Sequence, residues 1–184
     1  MVALTALWLP ILLSAIAIFI VSSVIHTILP WHKSDFRRFA SEEEVLSALR
    51  KFDLAPGDYA APMPDNTADL GSAEYKAKVE RGPQVVMTVM SPNNSMGANL
   101  IKWFVYLVVV GVFVAYVTGS MLGPGADYMD VFRLTSTVAF AGFALGIWQN
   151  WIWYSRDLGA VFRSTIDGLI YALLTGGIFG WLWP

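Results

Sequence analysis

The chain has 184 residues, of which 56% are hydrophobic and only 14% charged, and its formal net charge is -2. A balance this close to neutral, with no basic block, offers no electrostatic footprint for nucleic acid. The lack of cysteine removes disulfides, thiolate zinc centres, iron–sulfur ligation, thioether haem attachment and S-acylation together.

Four long apolar runs, at 7–29, 100–121, 131–154 and 161–182, each meet the roughly 20 residues that a hydrocarbon crossing requires. They must be helices, because an unpaired backbone group in lipid costs several kcal/mol and a helix pairs its own. The first run has no basic residue before it, exceeds a signal core in length and lacks a small-residue cleavage site, so it reads as a retained span. The fold class expected is an all-α integral membrane protein with four transmembrane helices. Its organisation would be helix 1 over 1–30, a hydrophilic insert over 31–98, and helices 2 to 4 over 99–184.

The insert carries eight of the twelve cations and ten of the fourteen acids. Ser41 and Glu44 form a capping-box pattern, and Val45, Leu46, Leu49 and Phe52 recur at helical spacing, which predicts an amphipathic helix over 42–52. Pro56, Gly57, Pro62 and Pro64 then break the chain into irregular structure. A short helix is expected over 72–81, stopped by Gly82 and Pro83, and a β-prone run follows at 85–90. The segment is too short to bury much apolar area by itself and is expected to pack at the mouth of the bundle or along the lipid surface.

Cations set the expected orientation. Lys33, Arg37, Arg38, Lys102, Arg156 and Arg163 cluster at one end of the runs, whereas the turn 123–130 carries only Asp127 and Asp130. The positive-inside rule places the insert in the cytoplasm and both termini outside. Arg133 dissents, and Asp130, three residues earlier on the same face, is positioned to pair with it. Tryptophan and tyrosine near the ends of the runs, among them Trp8, Trp31, Trp103, Tyr128, Trp151 and Trp181, mark the headgroup levels.

Small residues recur every four positions in three of the runs: Gly111, Ala115 and Gly119; Gly142 and Gly146; Gly168, Ala172, Gly176 and Gly180. Such stripes permit close helix approach, either within the bundle or against other subunits or another copy of the chain. The polar residues His26, Gln149, Asn150 and Asp167 all fall near the insert end of the runs and form the candidate intramembrane site. Imidazole titrates near neutral pH and a carboxylate orients it, so His26 and Asp167 suit ligand binding or proton handling. The structural reading is plainer: His26 bonds to Asn150 or Asp167 across helices, and Arg163 neutralises Asp167 at i, i+4. His32, beyond Pro30, is not expected to share the face of His26, so no metal set is assembled, and the cofactor is left unknown.

Zinc-protease, nucleophile-elbow and phosphate-loop strings are absent, which argues against a hydrolase or nucleotide enzyme. No pair of broken helices in two repeated halves suggests a transporter, and Pro10 is the only proline within a run. The stretches Val24-Ile25-His26-Thr27-Ile28-Leu29-Pro30-Trp31-His32-Lys33 and Asp167-Gly168-Leu169-Ile170-Tyr171-Ala172-Leu173-Leu174-Thr175-Gly176 resemble a family of small bacterial multi-pass membrane proteins with no assigned activity. The resemblance spans most of the chain and implies a bacterial cell membrane, with nothing catalytic. The expected function is an accessory or scaffolding subunit of a membrane complex. The alternative is a cofactor-binding or small-solute or proton permeation protein built on the polar site.

Overall fold

The computed structural model describes residues 1–184. In chain order it contains α1 (Trp8–Thr27), α2 (Glu42–Arg50), β1 (Gly57–Ala61), α3 (Ala73–Arg81), β2 (Val85–Val89), α4 (Met96–Met121), α5 (Tyr128–Phe143), α6 (Trp148–Tyr154) and α7 (Leu158–Trp181). These form two compact units, one of Met1–Arg37 with Met96–Pro184 and the other of Arg38–Ser95.

The first unit is a helical bundle. Four helical stretches, Leu4–Thr27, Met96–Met121, Tyr128–Tyr154 and Leu158–Trp181, are long and apolar enough to cross a membrane. Between 28% and 39% of the most apolar window of each is buried. Most of that greasy surface therefore faces outward, which in water would be an uncovered patch far larger than a soluble protein tolerates and in lipid is matched by its solvent. Mean hydropathy falls from 2.5 in the first stretch to 1.2 in the fourth, which carries Arg163 and Asp167.

The small-residue stripes are consumed inside this bundle. α7 packs most extensively on α5, and α1 lies against α4 and α7. A Cβ added to Gly176 would stand 3.0 Å from both the Phe132 ring and Ser136 Cβ, and one on Gly180 would stand 2.7 Å from the Tyr128 ring. Gly111 admits Ile11 in the same way, at 3.1 Å, and Gly168 admits Ala144 Cβ, at 2.9 Å. Ala115 and Ala172 are buried. Gly142 faces Val110 at 3.2 Å, while Gly146 meets nothing within 4 Å. Close approach substitutes here for a hydrophobic driving force, which lipid does not supply between helices.

Three buried hydroxyls in the bundle serve their own helices, whereas that of Thr118 on α4 has no partner. Ser14 donates to the Pro10 carbonyl at 2.6 Å, Thr135 to Val131 at 2.6 Å and Thr175 to Tyr171 at 2.9 Å. These local bonds satisfy a polar atom without needing a neighbour.

The expected unbroken third helix over 131–154 divides into two. α5 stops at Phe143, a 3-10 turn spans Leu145–Ile147, and α6 resumes at Trp148. The Tyr106 hydroxyl donates to the Gly142 carbonyl at 2.8 Å, entering the hydrogen-bond ladder just before the break. A side chain inserted into the ladder is a recognised cause of a kink.

At the other end of the bundle the two termini are tied to the end of α4 and the turn after it by two main-chain hydrogen bonds and one from an indole. Val2 N donates to Gly119 O at 2.8 Å, Gly125 N to Pro184 O at 2.6 Å, and Trp183 Nε1 to Gly123 O at 2.9 Å.

The second unit has no buried residue. α2 begins with Glu42, Glu43 and Glu44 and ends with Arg50, which complements the helix dipole, but Ser41 makes no side-chain cap and the capping box does not form. Ser72 does cap α3, accepting from Tyr75 N at 3.1 Å. The largest departure from expectation lies at 57–61, read as irregular and found as β1, antiparallel to β2 with Asp58 opposite Thr88. Thr88 Oγ1 donates to Asp58 Oδ1 at 2.6 Å across that pair. The chain is thus mostly helical rather than all-α, because a β-prone run leaves its backbone groups unpaired until a second strand, however poor in propensity, lies beside it. Residues 31–37, expected in the insert, belong with the bundle.

Candidate functional site

α1 ends at Thr27, and His26 in its last turn directs Nδ1 at the Ser22 carbonyl, 2.9 Å away. The chain then reverses. Ile28 and Leu29 both return their amides to Val24 O, and Pro30 opens a 3-10 turn through His32, where its fixed φ suits the first position. This reversal lays the His32 ring on His26, with centroids 4.4 Å apart and planes 11° from parallel. The expectation that His32 could not join His26 is therefore corrected: it assumed a helix continuing past Pro30, and the turn folds the second imidazole back onto the first.

His32 bridges two carboxylates. Nδ1 stands 2.7 Å from Asp35 Oδ2 and Nε2 stands 2.7 Å from Asp167 Oδ2. Two ionised carboxylates flanking one imidazole require N–H on both nitrogens. Asp35 Oδ1 in turn accepts from Arg163 Nε at 2.8 Å and Nη2 at 2.6 Å. The expected Arg163 to Asp167 pairing is corrected as well. Arg163 commits two nitrogens to Asp35, which neighbours in sequence could not reveal, and Asp167 takes His32 instead.

Asp35 lies outside the spans, with a side chain only 8% exposed. Its burial works against ionisation, but the hydrogen bonds and charges of His32 and Arg163 outweigh that and hold its carboxyl below the usual value. The cluster thus comprises two carboxyl groups, a guanidinium and an imidazole.

Asp167 and Tyr171, one turn apart on α7, are each 4% exposed. Asp167 Oδ1 and the Tyr171 hydroxyl have no hydrogen-bond partner. Both residues line a cavity of about 650 Å³ whose other walls include Ser22, His26, Trp103, Tyr106, Phe143 and Ser164. The aromatic wall is continuous: Trp103 and Tyr106 stack at 5.6 Å, and Phe143 meets Tyr171 edge-on at 5.8 Å. Trp103 Nε1 donates to Ser22 Oγ at 3.1 Å, which anchors the indole to α1. A second recess of about 480 Å³, lined by Asp35, Asp157 and Arg163, lies on the far side of the ion cluster. His32 therefore joins a carboxylate of one recess to a carboxylate of the other.

Of the expected site residues, His26 and Asp167 come together and line the cavity. Gln149 is exposed on α6, and the half-buried Asn150 gives its amide to Ile147 O at 3.1 Å, so neither reaches His26. Residues missed from the sequence are His32, Asp35 and Tyr171. Their signal was the Pro30 turn, with His32 and Asp35 spaced i, i+3 around it, and the four-residue step from Asp167 to Tyr171. Compared with protein-family models, curated proteins and solved structures, the chain matches none of them.

Proposed function

We propose that this membrane protein binds a small amphipathic molecule in the cavity among α1, α4, α5 and α7. The observation that carries this reading is the pair of unpartnered buried polar atoms, Asp167 Oδ1 and the Tyr171 hydroxyl, on residues that line the cavity. A buried polar atom left unmatched costs about 1–3 kcal/mol, which a ligand head group would recover. The aromatic wall of Trp103, Tyr106 and Phe143 suits an apolar body, and the polar end beside His26 and Asp167 suits a hydrogen-bonding head.

We prefer this reading to the accessory-subunit one because most of the glycine-stripe positions make contacts within the chain, Gly146 being open. The test is native mass spectrometry of the protein purified in mild detergent. A bound small molecule should be present, and Tyr171→Phe and Trp103→Ala should each lower its occupancy about tenfold while Gln149→Ala leaves it unchanged. An empty cavity, or equal occupancy in all variants, would refute it.

The proposed orientation keeps the insert in the cytoplasm and the termini outside, supported by the cations at the insert end and by the meeting of both termini at the opposite end. Because the chain has no cysteine, Glu43→Cys gives a single reporter. A membrane-impermeant maleimide should label it only after cells are permeabilised, and labelling of intact cells would reverse the orientation.

A further inference from the structure

We infer that His26, His32 and Asp167 form a binding site for a divalent first-row transition-metal cation of the Zn²⁺ type. Their candidate donor atoms all lie within 4.8 Å of one another. Two imidazole nitrogens and one carboxylate oxygen form a donor set suited to Zn²⁺ or Fe²⁺, and three protein ligands leave room for water or a ligand atom.

The outer contacts match those of metal-ligating histidines. Each ring has its Nδ1 held by an acceptor: Ser22 O for His26 at 2.9 Å and Asp35 Oδ2 for His32 at 2.7 Å. That arrangement leaves Nε2 of each ring as the candidate ligand atom, and Arg163 locks Asp35 in turn. The orphaned Asp167 Oδ1 is an independent observation, since a carboxylate oxygen buried without a donor is what a cation would satisfy.

Donors around one tetrahedral ion are separated by roughly 3.3 Å. Binding would draw the widest pair together by on the order of 1 Å, which rotation of the exposed His26 ring allows. The cation replaces the Nε2 proton of His32 that bridges to Asp167, and that proton leaves to solvent.

This inference shares Asp167 with the ligand-binding reading but needs no occupant in the cavity. The experiment is calorimetric titration of Zn²⁺ into tag-free, EDTA-stripped full-length protein in detergent. One Zn²⁺ per chain is expected. His26→Ala and Asp167→Asn should each weaken binding by at least about 100-fold, beyond the roughly 10- to 100-fold expected for Asp35→Asn, which contacts His32 and Arg163 but is not itself a ligand. Trp103→Ala, which empties the cavity wall and removes no ligand, should retain the wild-type affinity. Co²⁺ should give visible absorption bands that His32→Ala abolishes. No stoichiometric uptake, or unchanged affinity in His26→Ala, whose exposed ring is not needed for the core, would overturn the metal centre; equal weakening in Trp103→Ala and His26→Ala would do the same.

Discussion

The two ends of the bundle solve the same problem in opposite ways. Where the termini meet, backbone amides and carbonyls pair directly and glycines bring helices within contact of ring carbons, and the one buried side-chain oxygen left unmatched is the Thr118 hydroxyl. Where α1 and α7 meet the insert side, ionisable side chains pair with one another, a ring bridges two carboxyl groups, and two buried oxygens stay unmatched beside a cavity. An apolar contact stabilises through shape and tolerates no added volume. An ionic cluster stabilises through matched charge and tolerates no missing partner. The first end is held by shape and main-chain pairing, and the second by a charged cluster beside a cavity.

The largest effect should come from unbalancing the charged end. Asp35→Ala leaves Arg163 and His32 without their shared anion and should lower stability by about 3 kcal/mol, read from thermal unfolding in detergent. The same carboxyl supplies an acid limit. Its value in the folded chain is depressed, so its contribution is present above its unfolded value of about 3.9 and is lost as pH falls through the folded one. In EDTA-treated protein, midpoints below about pH 4 should fall more steeply for wild type than for Asp35→Asn. Identical profiles would mean that the cluster contributes nothing to folding.

The closed end should break by volume. Gly176→Leu drives a side chain into Phe132 and Ser136 and should destabilise by about 2 kcal/mol, whereas Gly146→Ala, with open space around its Cβ, should stay within about 0.5 kcal/mol of wild type. Equal effects at the two glycines would remove the close-packing account. The smallest effect belongs to the exposed Arg133 and Asp130 pair, 3.9 Å apart: Arg133→Ala should change stability by less than about 0.5 kcal/mol. A larger loss there would show that surface charge, and not the buried cluster, distinguishes the two ends.

Much of the helical plan was legible in the residues. Apolar run length located every membrane-length helix to within a few positions, and the Ser72 start and Gly82 stop of α3 were read correctly. His26 and Asp167 were selected because charge-bearing groups are rare in such runs. Their partners were not legible. The distance from Asp35 to Arg163 spans 128 positions, and no periodicity relates them. The same blindness hid β1, whose Gly57 and flanking Pro56 and Pro62 signal a break until β2 is alongside.

The sequence by itself determined how many helices are long and apolar enough to cross a membrane and the poverty of polar groups inside them, because those follow from composition summed over 20 or so consecutive residues. Only the tertiary structure decided that Pro30 folds His32 onto His26, that Arg163 chooses Asp35 over Asp167, and that the helix after Phe143 breaks beside Tyr106. Each of those outcomes depends on which atoms from distant segments arrive at one point. A hydrogen bond is directional and short-ranged, so its partner is set by the packed bundle and not by spacing along the chain.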